Sequence, residues 1–142
     1  VLIAQTGERF ITHYKVMPER EEDKDLLEAT LDVHRTLFGK LPDTLAADKG
    51  FYASVEQLKG LEKKITTVSI CKKGRRTKQE EEREHGEEFK AGQAFRAGVE
   101  GTISVLKRAF KLNRCLFKGY KNFASSVGCA VFCHNLVLLA QT

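Results

Sequence analysis

The stretch Arg96-Ala-Gly-Val-Glu100-Gly-Thr-Ile-Ser-Val-Leu-Lys107-Arg108 decides how the rest of the chain is read. Val99, Ile103, Leu106 and Phe110 recur at i, i+4, i+7 and i+11, the apolar stripe of an amphipathic helix. Glu100 follows Arg96 by four residues and Lys107 follows Glu100 by seven, about one and two turns, so all three project from roughly one face. A carboxylate between two cations suits a metal-assisted phosphate site. The acid can hold a divalent cation while the cations meet a nucleic-acid backbone. The same pattern also describes a surface helix with i,i+4 charge pairs, and only the surrounding chain separates the two readings.

Towards the C-terminus the charge becomes one-sided. From Ile103 to Lys121 there are six cations (Lys107, Arg108, Lys111, Arg114, Lys118 and Lys121) and no acid. Phe110, Phe117 and Tyr120 are interleaved with them, which is what a nucleic-acid-facing surface needs. A plain solvated face more often mixes signs. The whole chain is 142 residues with net charge +5, leaning towards an anionic partner, and its 42% hydrophobic and 30% charged residues are ordinary for a soluble globular domain. Phe123 to Ala140 reads as a buried terminal helix. Its apolar core, Val127 to Ala140, is too short to span a bilayer and carries His134 and Asn135, so no membrane partner is expected.

Cys71, Cys115, Cys129 and Cys133 read as reduced thiols in a cytosolic protein, not as a disulfide framework. Cys129 and Cys133 with His134 come near a zinc pattern. They lie on an apolar helix without a second ligand pair, and buried small hydrophobes are the better reading.

Towards the N-terminus the pattern alternates strands and helices. Val1-Leu-Ile-Ala4 and Phe10 to Val16, joined by Thr6-Gly7-Glu8, predict a β-hairpin. Glu21, Glu22 and Asp23 open a helix that Gly39 closes. Thr44-Leu-Ala-Ala47 is a brief strand ending on Asp48-Lys-Gly50-Phe51. An Asp there is either a functional carboxylate at the C-terminal end of a strand in an open α/β sheet, or a cap on the next turn or helix. Ser54 to Lys64 predicts a helix and Ile65 to Ile70 a buried strand. The basic loop Lys72-Lys73-Gly74-Arg75-Arg76 can touch phosphates. The acidic run Glu80, Glu81, Glu82 and Glu84 reads as a solvated helix face or linker without a role of its own. Gly92 and Gly98 weaken the helix from Phe89 to Phe110 and move its expected start towards Arg96. The order implies α/β architecture with one mixed sheet.

These segments, in this order, resemble the C-terminal part of the catalytic domain of a DDE transposase from a bacterial insertion sequence, with an RNase H-like fold. Phe10-Ile-Thr-His-Tyr-Lys-Val16 with Asp23-Lys-Asp-Leu-Leu27 resembles the family's hairpin and first helix. Ala46-Ala-Asp-Lys-Gly-Phe51 is similar to the strand end that carries its second catalytic Asp, and Val68-Ser-Ile-Cys-Lys-Lys-Gly74 to its last strand. Arg96 to Lys107 fits its Tyr-Arg-Glu-Lys signature in spacing, and His134-Asn-Leu136 with Leu139-Ala140 resembles its terminal helix. Three positions depart from the pattern. Gln93 stands where the signature Tyr belongs, Ser126 stands where a Trp often precedes Val-Gly, and the strand bearing the first Asp would lie before Val1. A fragment or a decaying copy would show such losses.

The resemblance implies an RNase H-like mixed sheet flanked by helices and lacking its first strand, with residues 1–142 forming one partial domain. It implies two-metal phosphoryl transfer, in which three carboxylates hold two Mg²⁺ or Mn²⁺ ions about 4 Å apart. Asp48 and Glu100 would be two of those ligands, and Arg96 and Lys107 DNA contacts near the scissile phosphate. Arg108, Lys111, Arg114, Lys72 and Lys73 are the further cations expected on DNA. The implied partners are transposon ends and target DNA, met by a homodimer in the bacterial cytoplasm at the nucleoid. Lacking the first Asp, these residues are expected to bind metal poorly and not to cleave DNA. A DNA-binding relic and an RNase H-fold nuclease are the alternative readings.

Overall fold

Acids at one end and a glycine at the other define the first helix, α1 (Asp23–Phe38). Asp23 and Asp25 lie in its first turn, where they favour the helix dipole. Gly39 ends it at φ 74°, a left-handed conformation that glycine adopts without strain, and donates its N–H to the Arg35 carbonyl at 2.8 Å. The computed structural model describes all residues 1–142. They divide into two units, Glu21–Ala97 and Val1–Arg20 with Gly98–Thr142.

In Glu21–Ala97, α1 precedes strand β3 (Thr44–Ala46), a single 3-10 turn (Lys49–Phe51), helix α2 (Val55–Lys64) and strand β4 (Thr67–Ser69). β3 and β4 pair parallel, Leu45 opposite Val68, with α2 as the crossover that a parallel pair requires. Ser54 caps α2 by accepting from the Gln57 N–H at 3.1 Å. The core joins Leu27, Leu31, Tyr52, Leu58, Ile65, Val68 and Ile70. Helix α3 (Lys78–His85) starts at a capping box between Thr77 and Glu80. The first half of helix α4 (Glu87–Arg108) completes the unit.

In the other unit, β1 (Leu2–Gln5) and β2 (Ile11–Lys15) pair antiparallel as the alternating pattern predicts. Helix α5 (Tyr120–Gln141) is fastened to that hairpin by uncharged side chains. The Asn135 amide accepts from the Ile11 N–H and donates to the Ile11 carbonyl, both at 2.9 Å, as a neighbouring peptide unit would. The His134 Nε2 lies 3.1 Å from the Arg9 carbonyl, and the Tyr120 hydroxyl donates to the Val16 carbonyl at 2.7 Å. Ile11, Leu106, Val127, Ala130 and Val131 form the core.

Three expectations change. The antiparallel and parallel pairings are both present, but as two separate two-stranded sheets and not as one mixed sheet. With three residues each, β3 and β4 supply short ladders. Helix α4 begins at Glu87, well before Arg96, with Glu87 and Glu88 favouring its first turn, and Gly92 stands within it where no side chain would fit. Helix α5 has 22 residues, long and apolar enough by length and composition to cross a membrane, and is not wholly buried. Val127, Ala130, Val131 and His134 face the core, whereas Phe132, Leu136 and Leu139 are 67%, 52% and 62% exposed.

Candidate functional site

Asp48 follows the C-terminal end of β3 and caps the 3-10 turn, its Oδ1 accepting from the Lys49 N–H at 2.7 Å. The capping role is therefore real, and it leaves the carboxylate 67% exposed beside the end of a parallel strand. Arg96 reaches towards it, with Nη1 3.8 Å from Asp48 Oδ1. At that distance in a solvated setting the pair contributes at most about 1 kcal/mol. Its value lies in placing a cation next to the acid.

Close packing sets that placement. A Cβ on Gly92 would come 2.6 Å from the Ser69 Cβ and closer still to its hydroxyl, so only glycine lets α4 sit this near β4. The next residue, Gln93, donates its amide N–H to the Ser69 carbonyl at 2.5 Å, the same carbonyl that accepts from the Ala47 N–H at 3.3 Å. Gly92 and Gln93 thus fix α4 against the β3–β4 pair one turn before Arg96. The sequence marked Gln93 only as a departure from the signature Tyr, and Gly92 not as a site residue at all. The available signal was a glycine four residues before Arg96, which registers only as a weak helix position.

The loop after β4 is organised by ions. The Lys72 Nζ donates to both Glu80 oxygens at 2.7 and 2.8 Å, and the Lys72 backbone N–H donates to Glu84 Oε1 at 2.9 Å. Arg76 Nε lies 2.8 Å from Glu84 Oε2. The hydrogen bond from Lys72, with one from Thr77, holds the Glu80 carboxyl below its ordinary pKa. Burial, then the Glu84 charge, pushes the Cys71 thiol up, which keeps it protonated and unreactive. Arg83 donates to the carbonyls of Val68 and Ile70 at 3.1 Å each and stacks on Phe89 with its guanidinium 5.1 Å from the ring centre. Lys73 is exposed, and its Nζ donates to the Gly50 carbonyl at 3.3 Å in the turn that Asp48 caps.

In the other unit, Glu100, Lys107, Arg108, Lys111 and Arg114 are all exposed. None of the six cations from Lys107 to Lys121 is ion-paired within the chain. Of the aromatics among them, Phe110 turns its ring edge to His134 and Tyr120 is tied to Val16, while Phe117 is 64% exposed.

No three or more His, Cys, Asp or Glu side chains come together as a metal-binding group. All four cysteines are free, and Cys129 and Cys133, expected to be buried, are exposed on α5. No curated protein and no solved structure matches the chain. The family model described as transposase DDE domain matches residues 1–136, nearly the whole length, and the chain belongs to that family.

Proposed function

We propose that the protein acts on DNA in transposition and that Asp48 and Glu100 are two carboxylates of the strand-cleaving set. The observation that carries this reading is Arg96 beside Asp48, an exposed acid at the C-terminal end of a parallel strand with a cation poised over it. In a DDE transposase such a cation meets the backbone phosphate while the acids serve divalent ions, Mg²⁺ or Mn²⁺ by the oxygen character of the donors. The unpaired cations Lys107, Arg108, Lys111 and Arg114 support a DNA backbone as the partner, transposon ends and target alike.

Two carboxylates, one of them already serving as a cap, are too few to hold two ions. Residues 1–142 by themselves are thus proposed to bind DNA without cutting it. A nicking assay on supercoiled plasmid with Mg²⁺ tests this. No nicking is expected, and Mg²⁺-dependent nicking that Glu100→Gln abolishes would overturn the proposal. In the same protein Asp48→Asn is expected to leave DNA affinity unchanged or slightly raised, since it removes a negative charge facing the phosphates. A large loss of affinity would mean instead that Asp48 organises the DNA-binding surface.

A further inference from the structure

The loop Lys72–Arg76 offers four cations as equals in the sequence, yet the structure sorts them into two classes. Lys72 and Arg76 stand four residues apart, as do Glu80 and Glu84 on α3, and the two pairs meet acid to base. The Glu84 carboxylate takes up a guanidinium N–H and a backbone N–H of the loop together, the arrangement in which such loops hold a phosphate. The Lys72, Glu80 and Glu84 side chains are 14%, 21% and 10% exposed and that of Arg76 35%, so this anion position is filled, and it is closed to solvent on the Lys72 side. Lys73 and Arg75 remain exposed; Arg75 has no ion pair, and Lys73 touches only the backbone of the Asp48 turn. Gly74, at φ 85°, makes the turn that puts Lys73 and Arg75 on the open side.

We infer that α3 is an internal counter-anion, a carboxylate substitute for phosphate, which withholds Lys72 and Arg76 from DNA and leaves Lys73 and Arg75 to meet the backbone beside Asp48. This rests on the DNA-binding reading above and gives α3, whose acids have no role in the sequence reading, a function. The geometry also makes the masking removable. Neutralising Glu80 frees the Lys72 ammonium without removing any group from the loop.

The test is fluorescence anisotropy of residues 1–142 on a labelled duplex of arbitrary sequence, titrated over a series of KCl concentrations. Each phosphate contact contributes about 0.9 to the slope of log K against log[salt]. Lys73→Ala is expected to make that slope shallower by about one contact, while Lys72→Ala leaves it unchanged. Glu80→Gln is expected to steepen it by up to about one contact. Glu81→Gln, the same charge change on an exposed neighbour without a paired lysine, gives the generic charge effect to subtract. A shallower slope for Lys72→Ala, or equal slopes for Glu80→Gln and Glu81→Gln, would overturn the inference while leaving DNA binding intact. No binding by the unaltered chain at low salt would overturn the DNA-binding reading itself, and this inference with it. Circular dichroism of each variant identifies any loss that comes from unfolding.

Discussion

The two units order their chain segments with different polar chemistry. In Val1–Arg20 with Gly98–Thr142, the fasteners are a carboxamide, an imidazole and a phenol, each bonded to backbone more than 100 residues away in sequence. In Glu21–Ala97 most are ions and caps between close neighbours, Lys72 with Glu80, Arg76 with Glu84, Ser54 and Thr77 at helix starts, with the Gln93 amide on the Ser69 carbonyl as the neutral exception. The carboxamide and phenol hold distant segments without a charge for salt to screen, whereas the ion pairs hold local segments and respond to their solution. The cations from Lys107 to Lys121 in the first unit have no ion pair. In the second unit two of the four cations of the Lys72–Arg76 loop are ion-paired.

The comparison can be broken most forcefully at the core. Leu106→Ala empties a site that is 2% exposed and should cost about 2–5 kcal/mol, read as a lowered urea midpoint. Asn135→Ala leaves both polar groups of Ile11 without their partner and should cost about 2 kcal/mol, with the loss unchanged by added KCl. A strongly salt-dependent loss would contradict the neutral-fastener account. Gly92→Ala should cost about 1–3 kcal/mol, and Ser69→Gly in the same chain should recover part of it by clearing the colliding side chain. Lys72→Ala should lower stability more at low than at high salt, the reverse of the Asn135 pattern.

The smallest effect is in pH. Burial, assisted by Lys15, lowers the His13 pKa below its ordinary 6.5, and burial with Lys40 does the same for His34. The unfolded chain then binds more protons than the folded one, so this stabilisation is present above pH 6.5 and is lost as pH falls below it. Thermal midpoints taken down from neutral pH should fall slightly, and His13→Gln with His34→Gln should flatten that decline.

Local signals were legible in the sequence wherever the cause is local. The hairpin alternation, the acids opening α1, Gly39 closing it and Ser54 capping α2 all act within a few residues. What the sequence hides depends on distant neighbours. Gly92 reads as a helix-weakening residue until Ser69 is seen beneath it. Whether β2 and β3 belong to one sheet depends on strand pairing, which alternation does not encode. The outward residues of α5 look as apolar as the inward ones, so its exposed face leaves no mark in hydropathy. At the candidate site, the place of Asp48 after a short strand and of Arg96 on a helix were legible from the sequence pattern, but not that the two lie side by side. The capture of Lys72 by Glu80 was not legible, because the acidic run by itself reads as a solvated face.

Arg83 carries a last consequence. The Val68 and Ile70 carbonyls point away from β3, along the margin where β4 would otherwise recruit a strand from another molecule. A guanidinium bound across both makes that margin unfit as a template for intermolecular pairing, and its charge repels a second copy. The Asn135 amide blunts β2 in the same way by occupying Ile11. Two side chains on different helices thus occupy the outer margins of short ladders, and concentrated Arg83→Ala protein should gather thioflavin-positive material faster than the unaltered chain.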